Sequence, residues 1–152
     1  MNSIQGYITK SFDEVYSMLG GLGMTFYYVP YIKKGFKESR DYIDYDFNNK
    51  IKINATINSI ETSDVDLEYV KQYLKNTRKG ATIQFTLDSI SPYKVRPLDR
   101  IYIEHTGGKT ENYLIVGIDS NVLLQNIYVS VRVFEFDGTL TKFQWTDNGV
   151  ED

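Results

Sequence analysis

The sequence contains no cysteine, which excludes a disulfide framework and any thiolate metal site and is typical of a protein that matures in a reducing cytoplasm. His105 is its single histidine, so a histidine-based metal site or catalytic triad would have to rest on one residue. No apolar run approaches the roughly 18 residues that cross a bilayer, and the opening letters MNSIQGYITK lack the apolar core of a signal peptide. We therefore expect neither secretion nor membrane insertion.

Recognisable catalytic and cofactor motifs are also missing. No serine lies in a G-x-S-x-G elbow, and we expect no catalytic residue, no cofactor and no metal. The string from Gly107 to Thr110 (GGKT) imitates the end of a phosphate-binding loop, but the first glycine of that motif would fall at Ile103. The string is better explained as a hairpin turn between two strands. A net charge of -3 gives no overall attraction to nucleic acid.

What the sequence does contain is a large number of aromatic residues, 13 Tyr and 8 Phe among 152 residues. Aromatic side chains favour half-buried strands, and tyrosine is also enriched at protein interfaces. Alternating apolar residues in 81–87, 100–104, 112–118, 122–124, 127–136 and 139–145 predict an antiparallel meander over 81–145, with turns at Gly107-Gly108 and Asp137-Gly138. The expected fold is mainly β: a small antiparallel barrel or sandwich in one domain, 1–152.

Three further elements are predicted ahead of the meander. Residues 51–60 alternate as a strand with one buried face, and 65–76 have the apolar spacing of a helix. A capping box at 11–14 predicts a short helix that ends at the glycines of 20–23. Pro30 places the aromatic strand 24–32 at a sheet edge or ends it.

The segment 33–50 has dense charges of both signs and no convincing period, so we expect a long inserted loop. Four aromatic residues within it make plain disorder improbable and suggest that the loop orders against a protein partner. They are Phe36, Tyr42, Tyr45 and Phe47.

Acidic residues cluster twice, which raises the hypothesis of a carboxylate pair or a Ca²⁺ site. One cluster consists of Glu61, Asp64, Asp66 and Glu68, and the other of Asp41, Asp44 and Asp46. We favour helix capping as the explanation of the first cluster and a solvated loop as that of the second.

From residue 53 onward the order of elements resembles the head-closure or head–tail joining proteins of tailed bacteriophages, small barrels of the virion neck. The resemblance covers about the middle half of the chain. It lies in the turn Arg96-Pro97-Leu98-Asp99-Arg100-Ile101 and the strand Tyr113-Leu114-Ile115-Val116-Gly117-Ile118. Leu98 stands where glycine is common in that family.

The resemblance implies a structural virion protein, made in the host cytoplasm, that is not an enzyme. It implies a homo-oligomeric ring bound to other virion proteins, such as the portal, an adaptor, and the tail terminator or tube. DNA would be only passing cargo, and the loop 33–50 would reach toward a neighbour or the channel.

Two alternatives remain open. The chain could be a tail-completion or baseplate component, or it could be a barrel that binds oligonucleotides or oligosaccharides. In the second case exposed tyrosines would serve as stacking platforms, with Tyr102, Tyr113 and Tyr128 as the candidates.

Overall fold

A computed structural model of the chain describes residues 23–59, 64–75, 79–119, 128–137 and 141–148. The strands are β1 (Met24–Val29), β2 (Tyr31–Lys37), β3 (Arg40–Tyr45), β4 (Ile51–Ile53), β5 (Ala55–Ser59), β6 (Gly80–Thr86), β7 (Arg100–His105), β8 (Thr110–Asp119), β9 (Tyr128–Glu135) and β10 (Gln144–Asp147). One α-helix, α1 (Asp64–Val70), and two 3-10 helices, Phe47–Asn49 and Leu87–Ile90, accompany them. The predicted fold class, mainly β and barrel-like, is confirmed.

The larger sheet has seven antiparallel strands in the order β4-β1-β7-β8-β9-β6-β5. Its two ends, β4 and β5, are consecutive in the chain and separated only by Asn54. β4 pairs with β1 at one end and β5 pairs with β6 at the other, so these two consecutive strands bring both ends of the sheet together. The predicted strand conformation at 51–60 is confirmed over 51–59, except that Asn54 divides it into two strands, and the sheet is nearly closed into a barrel.

The barrel interior is filled with apolar side chains from alternate positions of its strands. They are Phe26, Tyr28, Ile53, Ala55, Ala81, Ile83, Phe85, Ile90, Ile101, Ile103, Tyr113, Ile115, Val129, Val131 and Val133. The described side chains thus fill the interior as in other small barrels.

A second core lies on the outer side of β8 and β9, where a three-stranded sheet of order β10-β3-β2 and helix α1 cover the barrel. Its buried members are Val29, Ile43, Tyr45, Val70, Leu74, Leu98, Leu114, Val116, Phe134, Phe136 and Phe143. β8 and β9 are thus covered on both faces over part of their length.

The segment 33–50 is not a loop. It forms most of the hairpin β2–β3 and the 3-10 helix that follows, so that part of the sequence prediction is wrong. Two residues, Glu38 and Ser39, make the turn, and both have positive φ angles of 52° and 65°. Such a turn normally contains Asn-Gly, so Glu-Ser gives no sequence signal for it.

The segment 81–145 is not one uninterrupted meander. β7, β8 and β9 follow one another, but β6 pairs with the far side of β9, and β10 pairs in parallel with β3. No hairpin therefore joins β9 to β10 at Asp137, and Gly138 lies outside the described residues. Phe143, just before β10, is buried in the second core, and Trp145 packs against that core, which draws this segment away from β9.

Other predictions have mixed outcomes. Pro30 does end β1, although β1 lies inside the sheet.

The helix predicted at 65–76 is shorter in the structure. Regular helix ends at Val70, and Leu74 forms a bridge with Thr141. The Gly107-Gly108 turn between β7 and β8 is confirmed. The predicted helix at 11–19 and the strand at 122–124 lie outside the described residues.

The hairpin turn allows a direct test of backbone strain. An L-residue other than Asn or Asp costs about 1–2 kcal/mol in the left-handed region. We expect Glu38→Asn with Ser39→Gly to raise the free energy of unfolding by about 1 kcal/mol, after the entropic cost of glycine. Urea unfolding measures the change. The pair Glu38→Ala and Ser39→Ala keeps the strain and should give no gain; an equal gain in both would contradict this explanation.

Candidate functional site: an arginine clamp and an exposed hairpin

A buried polar network holds the turn that leads into β7. Asp99 is fully buried, and its carboxylate accepts hydrogen bonds from the Tyr28 hydroxyl, from the Tyr31 amide at 2.9 Å and from Nε and Nη2 of Arg96 at 3.2 and 3.0 Å. Burial raises the pKa of Asp99, and the hydrogen bonds from Tyr28 and Arg96 offset only part of that increase. The network fastens the β1–β2 junction to the turn.

Leu98 adopts a left-handed conformation in the same turn, with φ of 75°. Its amide donates to the Ile115 carbonyl at 2.8 Å, and the Ile115 amide donates to the Asp99 carbonyl at 2.9 Å. The Tyr45 hydroxyl donates to the Leu98 carbonyl at 2.8 Å, so the small sheet is also tied to this turn. Strain at a single residue is tolerated because the surrounding bonds determine its geometry.

Arg100, the first residue of β7, lies between the barrel and the small sheet with 1% of its surface exposed. Its Nη1 donates to Asp147 at 2.6 Å, and its Nη2 donates to Asn112 at 2.5 Å. Asp147 belongs to β10 and Asn112 to β8, so one guanidinium links both sheets. Nε is buried and has no hydrogen-bond partner among the residues that the structure describes.

Aromatic rings surround this guanidinium, and we call Arg100 with its rings and two polar partners the arginine clamp. Measured from Cζ of Arg100 to the ring centroids, the distances are 4.7 Å to Tyr45, 5.6 Å to Phe47, 5.7 Å to Phe136 and 4.9 Å to Trp145. Desolvation strengthens such cation–π contacts. Burial also raises the pKa of the Tyr45 phenol, although the charge of Arg100 partly opposes that increase.

The chemistry of the clamp is structural. A guanidinium stays protonated at any physiological pH and cannot act as a general base. Its flat faces are covered by rings, and two of its nitrogens are engaged by the protein itself. The clamp therefore fixes the orientation of the small sheet, and with it the position of the β2–β3 hairpin.

The four predicted interface residues fall in different environments. Phe36 is 74% exposed on β2, whereas Tyr42 and Tyr45 are buried in β3. Phe47 is half-buried and packs edge-on against Tyr102, with 5.0 Å between the ring centroids. The structure thus brings Tyr45 and Phe47 together in the arginine clamp and leaves Phe36 as the exposed one of the four.

Two residues of the acidic clusters make separate contacts. Asp66 is buried in α1 and accepts two bonds from Nη1 of Arg132, at 2.7 and 2.9 Å. The guanidinium reaches it by passing over Gly117, where a Cβ would lie 2.2 Å from Nη2. Asp44 is buried in β3 and accepts a bond from Thr146, so the solvated-loop explanation is wrong for it.

His105 forms a local contact at the end of β7. Its Nε2 lies 2.8 Å from Oε2 of Glu111, which is on β8 opposite Ile103 and therefore diagonal to His105. Burial alone would raise the pKa of Glu111, but the bond and charge of His105, with Lys109 and Lys79, lower it below its ordinary value. The pair supports the hairpin and belongs to no larger constellation in the part of the chain that the structure describes.

Within the described ranges no group of three or more potential metal ligands comes together. No α-helix there has the length and apolar character needed to span a membrane. Comparisons with family models, with curated proteins and with solved structures found no match for this chain. Arguments about function therefore rest on the residues themselves.

Sequence reasoning missed Arg100 as the centre of a buried contact. The residue stands at the start of a predicted strand, where a charged side chain is ordinarily solvated. One sequence feature could have indicated a buried arginine: Arg100 directly follows Asp99 in a chain rich in aromatic residues.

The arginine clamp can be tested with a conservative change. Arg100→Lys removes the planar group and one of two charged hydrogen bonds, so the free energy of unfolding should fall by about 2–3 kcal/mol. Trp145 is the only tryptophan, and its emission should shift to longer wavelength as water enters. Arg40→Lys, at an exposed site on β3, should change stability by less than about 0.5 kcal/mol. Equal effects of both changes would contradict the clamp.

The lowered pKa of Glu111 predicts a pH dependence. Its contribution to stability is present above the ordinary glutamate pKa and is lost as the pH falls through the lower folded pKa. The difference in free energy of unfolding between the wild type and Glu111→Gln should therefore shrink from pH 6 to about pH 3. Glu68→Gln, which breaks only an exposed pair with Lys71, should show little difference at any of these pH values.

Proposed function

We propose that this protein is a structural, non-enzymatic subunit of a tailed bacteriophage particle, which joins head to tail as a member of a ring in the neck. The observation that carries the proposal is the β2–β3 hairpin, which exposes 54% of Ile32 and 74% of Phe36 on an edge strand. An exposed edge with large apolar side chains is a surface for binding another protein.

The arrangement around the hairpin supports a role in assembly. The barrel interior is packed with side chains, and the arginine clamp holds the small sheet rigidly against it. A rigid scaffold that presents an edge strand needs little reordering when it binds, which favours affinity. The described residues thus combine a filled scaffold with one prominent apolar projection.

The resemblance to neck proteins supplies the finer part of the proposal. Its two matched motifs are neighbours, because Arg100 and Ile101 of β7 pair with Leu114 and Tyr113 of β8. Leu98 adopts a left-handed conformation, which is the one that a glycine at this place would adopt without strain. A tail-completion or baseplate role would use the same surface and is the second candidate.

The oligonucleotide- or oligosaccharide-binding alternative has less support. Tyr113 is buried inside the barrel, so it cannot stack on a base or a sugar. Tyr102 is half-buried and already contacts Phe47 and Tyr27. Of the three tyrosines suggested as platforms, Tyr128 is half-exposed and has interactions of its own.

The proposal is tested with particles made from the phage genome that encodes the chain. Mass spectrometry of purified particles should find its peptides, and Phe36→Ser should lower the fraction of heads joined to tails at least about tenfold, since a central aromatic at an interface contributes about 2 kcal/mol or more. Electron microscopy counts the joined particles. Tyr93→Ser, which removes another exposed aromatic, is the matched control and should leave joining unchanged.

Absence of the peptides from particles would overturn the virion role. A strictly monomeric protein that binds single strands or glycans with micromolar affinity would favour the alternative barrel function instead. Phe36→Ser protein should unfold within about 0.5 kcal/mol of the wild type, because the side chain is exposed, so that a joining defect is not a folding defect.

A further inference from the structure

The small sheet has two outer strands, β2 and β10, with β3 between them. Each outer strand borders an open cleft. The cleft beside β2 has a volume of about 390 Å³ and is lined in part by Lys34, Gly35 and Phe36. The cleft beside β10 has a volume of about 360 Å³ and is lined in part by Gln144 and Trp145. Within the described residues, β3 is the one strand that pairs with β2 and with β10.

The two strands differ in charge. β2 contains Lys33, Lys34 and Lys37 and no acidic residue, whereas β10 contains Asp147 and no basic residue. Like charges opposite each other destabilise a strand pair, and opposite charges stabilise it. Two β2 strands would thus repel each other, whereas the positive side chains of β2 would attract the carboxylate of Asp147 in β10.

The directions of β2 and β10 would also allow them to pair in an antiparallel manner. β2 is antiparallel to β3 and β10 is parallel to β3, so β2 and β10 run in opposite directions. If a second copy continues the sheet in the same order, its β10 lies antiparallel to β2 of the first copy. Antiparallel addition to a free edge is a common mode of association.

One register between β2 of one copy and β10 of the next pairs compatible side chains on the face of the sheet that carries Ile43. Lys34 and Trp145 are both paired with Ile43, and their neighbours Phe36 and Asp147 are on the same face of the sheet. When Phe36 is placed opposite Trp145 of the next copy, Lys34 falls opposite Asp147, whose Oδ1 accepts from Arg100 of its own copy and whose side chain is 29% exposed. An aromatic pair and an ion pair then form together, each a stabilising cross-strand pair.

We propose that copies of this chain associate head to tail by adding β10 of one copy to β2 of the next, in the register that sets Phe36 against Trp145 and Lys34 against Asp147. This inference rests on the proposed function, because it names self-association as the form of assembly. The contact is heterologous, so repeated copies close into a ring or extend as a filament, according to the rotation between them.

The absence of cysteine from the natural sequence allows a clean crosslinking test. Gly35→Cys and Thr146→Cys lie opposite each other in the proposed register. Within one copy β3 separates β2 from β10 by about 10 Å, too far for a disulfide, so each bridge must join two copies. Mild oxidation of the double variant should give a ladder of covalent multimers on a non-reducing gel, while either single variant should give at most dimers.

Gly35→Cys with Gln144→Cys, shifted by two residues, is the control for register and should crosslink far less. A ladder that is equally strong with the shifted pair would overturn the register. A double variant that gives no more than the dimers of the single variants, while native mass spectrometry shows multimers of the wild type, would overturn the β2–β10 contact but leave the assembly role intact.

A charge reversal provides a second measurement that does not depend on the cysteine variants. Lys34→Glu should weaken self-association of the wild type at least about tenfold by light scattering, because it would face Asp147 of the next copy. Lys109→Glu, in the β7–β8 turn, should have no such effect. An unchanged association of Lys34→Glu, or a wild type that stays monomeric at every concentration, would overturn the inference; the particle experiment with Phe36→Ser then decides the proposed function separately.

Discussion

The guanidinium of Arg100 is the point at which the two sheets are joined, and its burial constrains everything around it. A charge removed from water has to be compensated, which requires Asp147, Asn112 and the ring faces to arrive together. β10 supplies the carboxylate and β8 the amide. Neither sheet can therefore shift without exposing the Arg100 guanidinium to water or separating it from a hydrogen-bond partner. The position of the hairpin thus follows from one residue in the barrel wall.

Elements with a regular local period were predictable from the sequence. The strand 51–59 alternates apolar and polar residues, and the Gly107-Gly108 turn carries its own signal. The hairpin β2–β3 was not predictable in this way. Four consecutive residues of β3, from Tyr42 to Tyr45, are buried, which hides the alternation, and the turn at Glu38 and Ser39 lacks the usual residues.

The candidate site was predicted only in part. The prediction of interface residues named Phe36, which is exposed, and by the same argument Tyr45, which is buried. Nothing local distinguishes the two, because burial depends on strand pairing between segments about 100 residues apart, such as Tyr42 with Gln144. The rings around Arg100 come from three separate stretches of sequence for the same reason.

The parallel pairing of β10 with β3 has a consequence for biosynthesis. Because a ribosome makes β3 long before β10, the nascent chain holds Arg100 without its carboxylate partner until the region of Asp147 has emerged. A chain that stops short of Gln144 would carry an uncompensated cation beside exposed rings, a state that chaperones and proteases recognise. Completion of the small sheet, and with it the compensation of the buried charge, therefore requires the chain through Asp147.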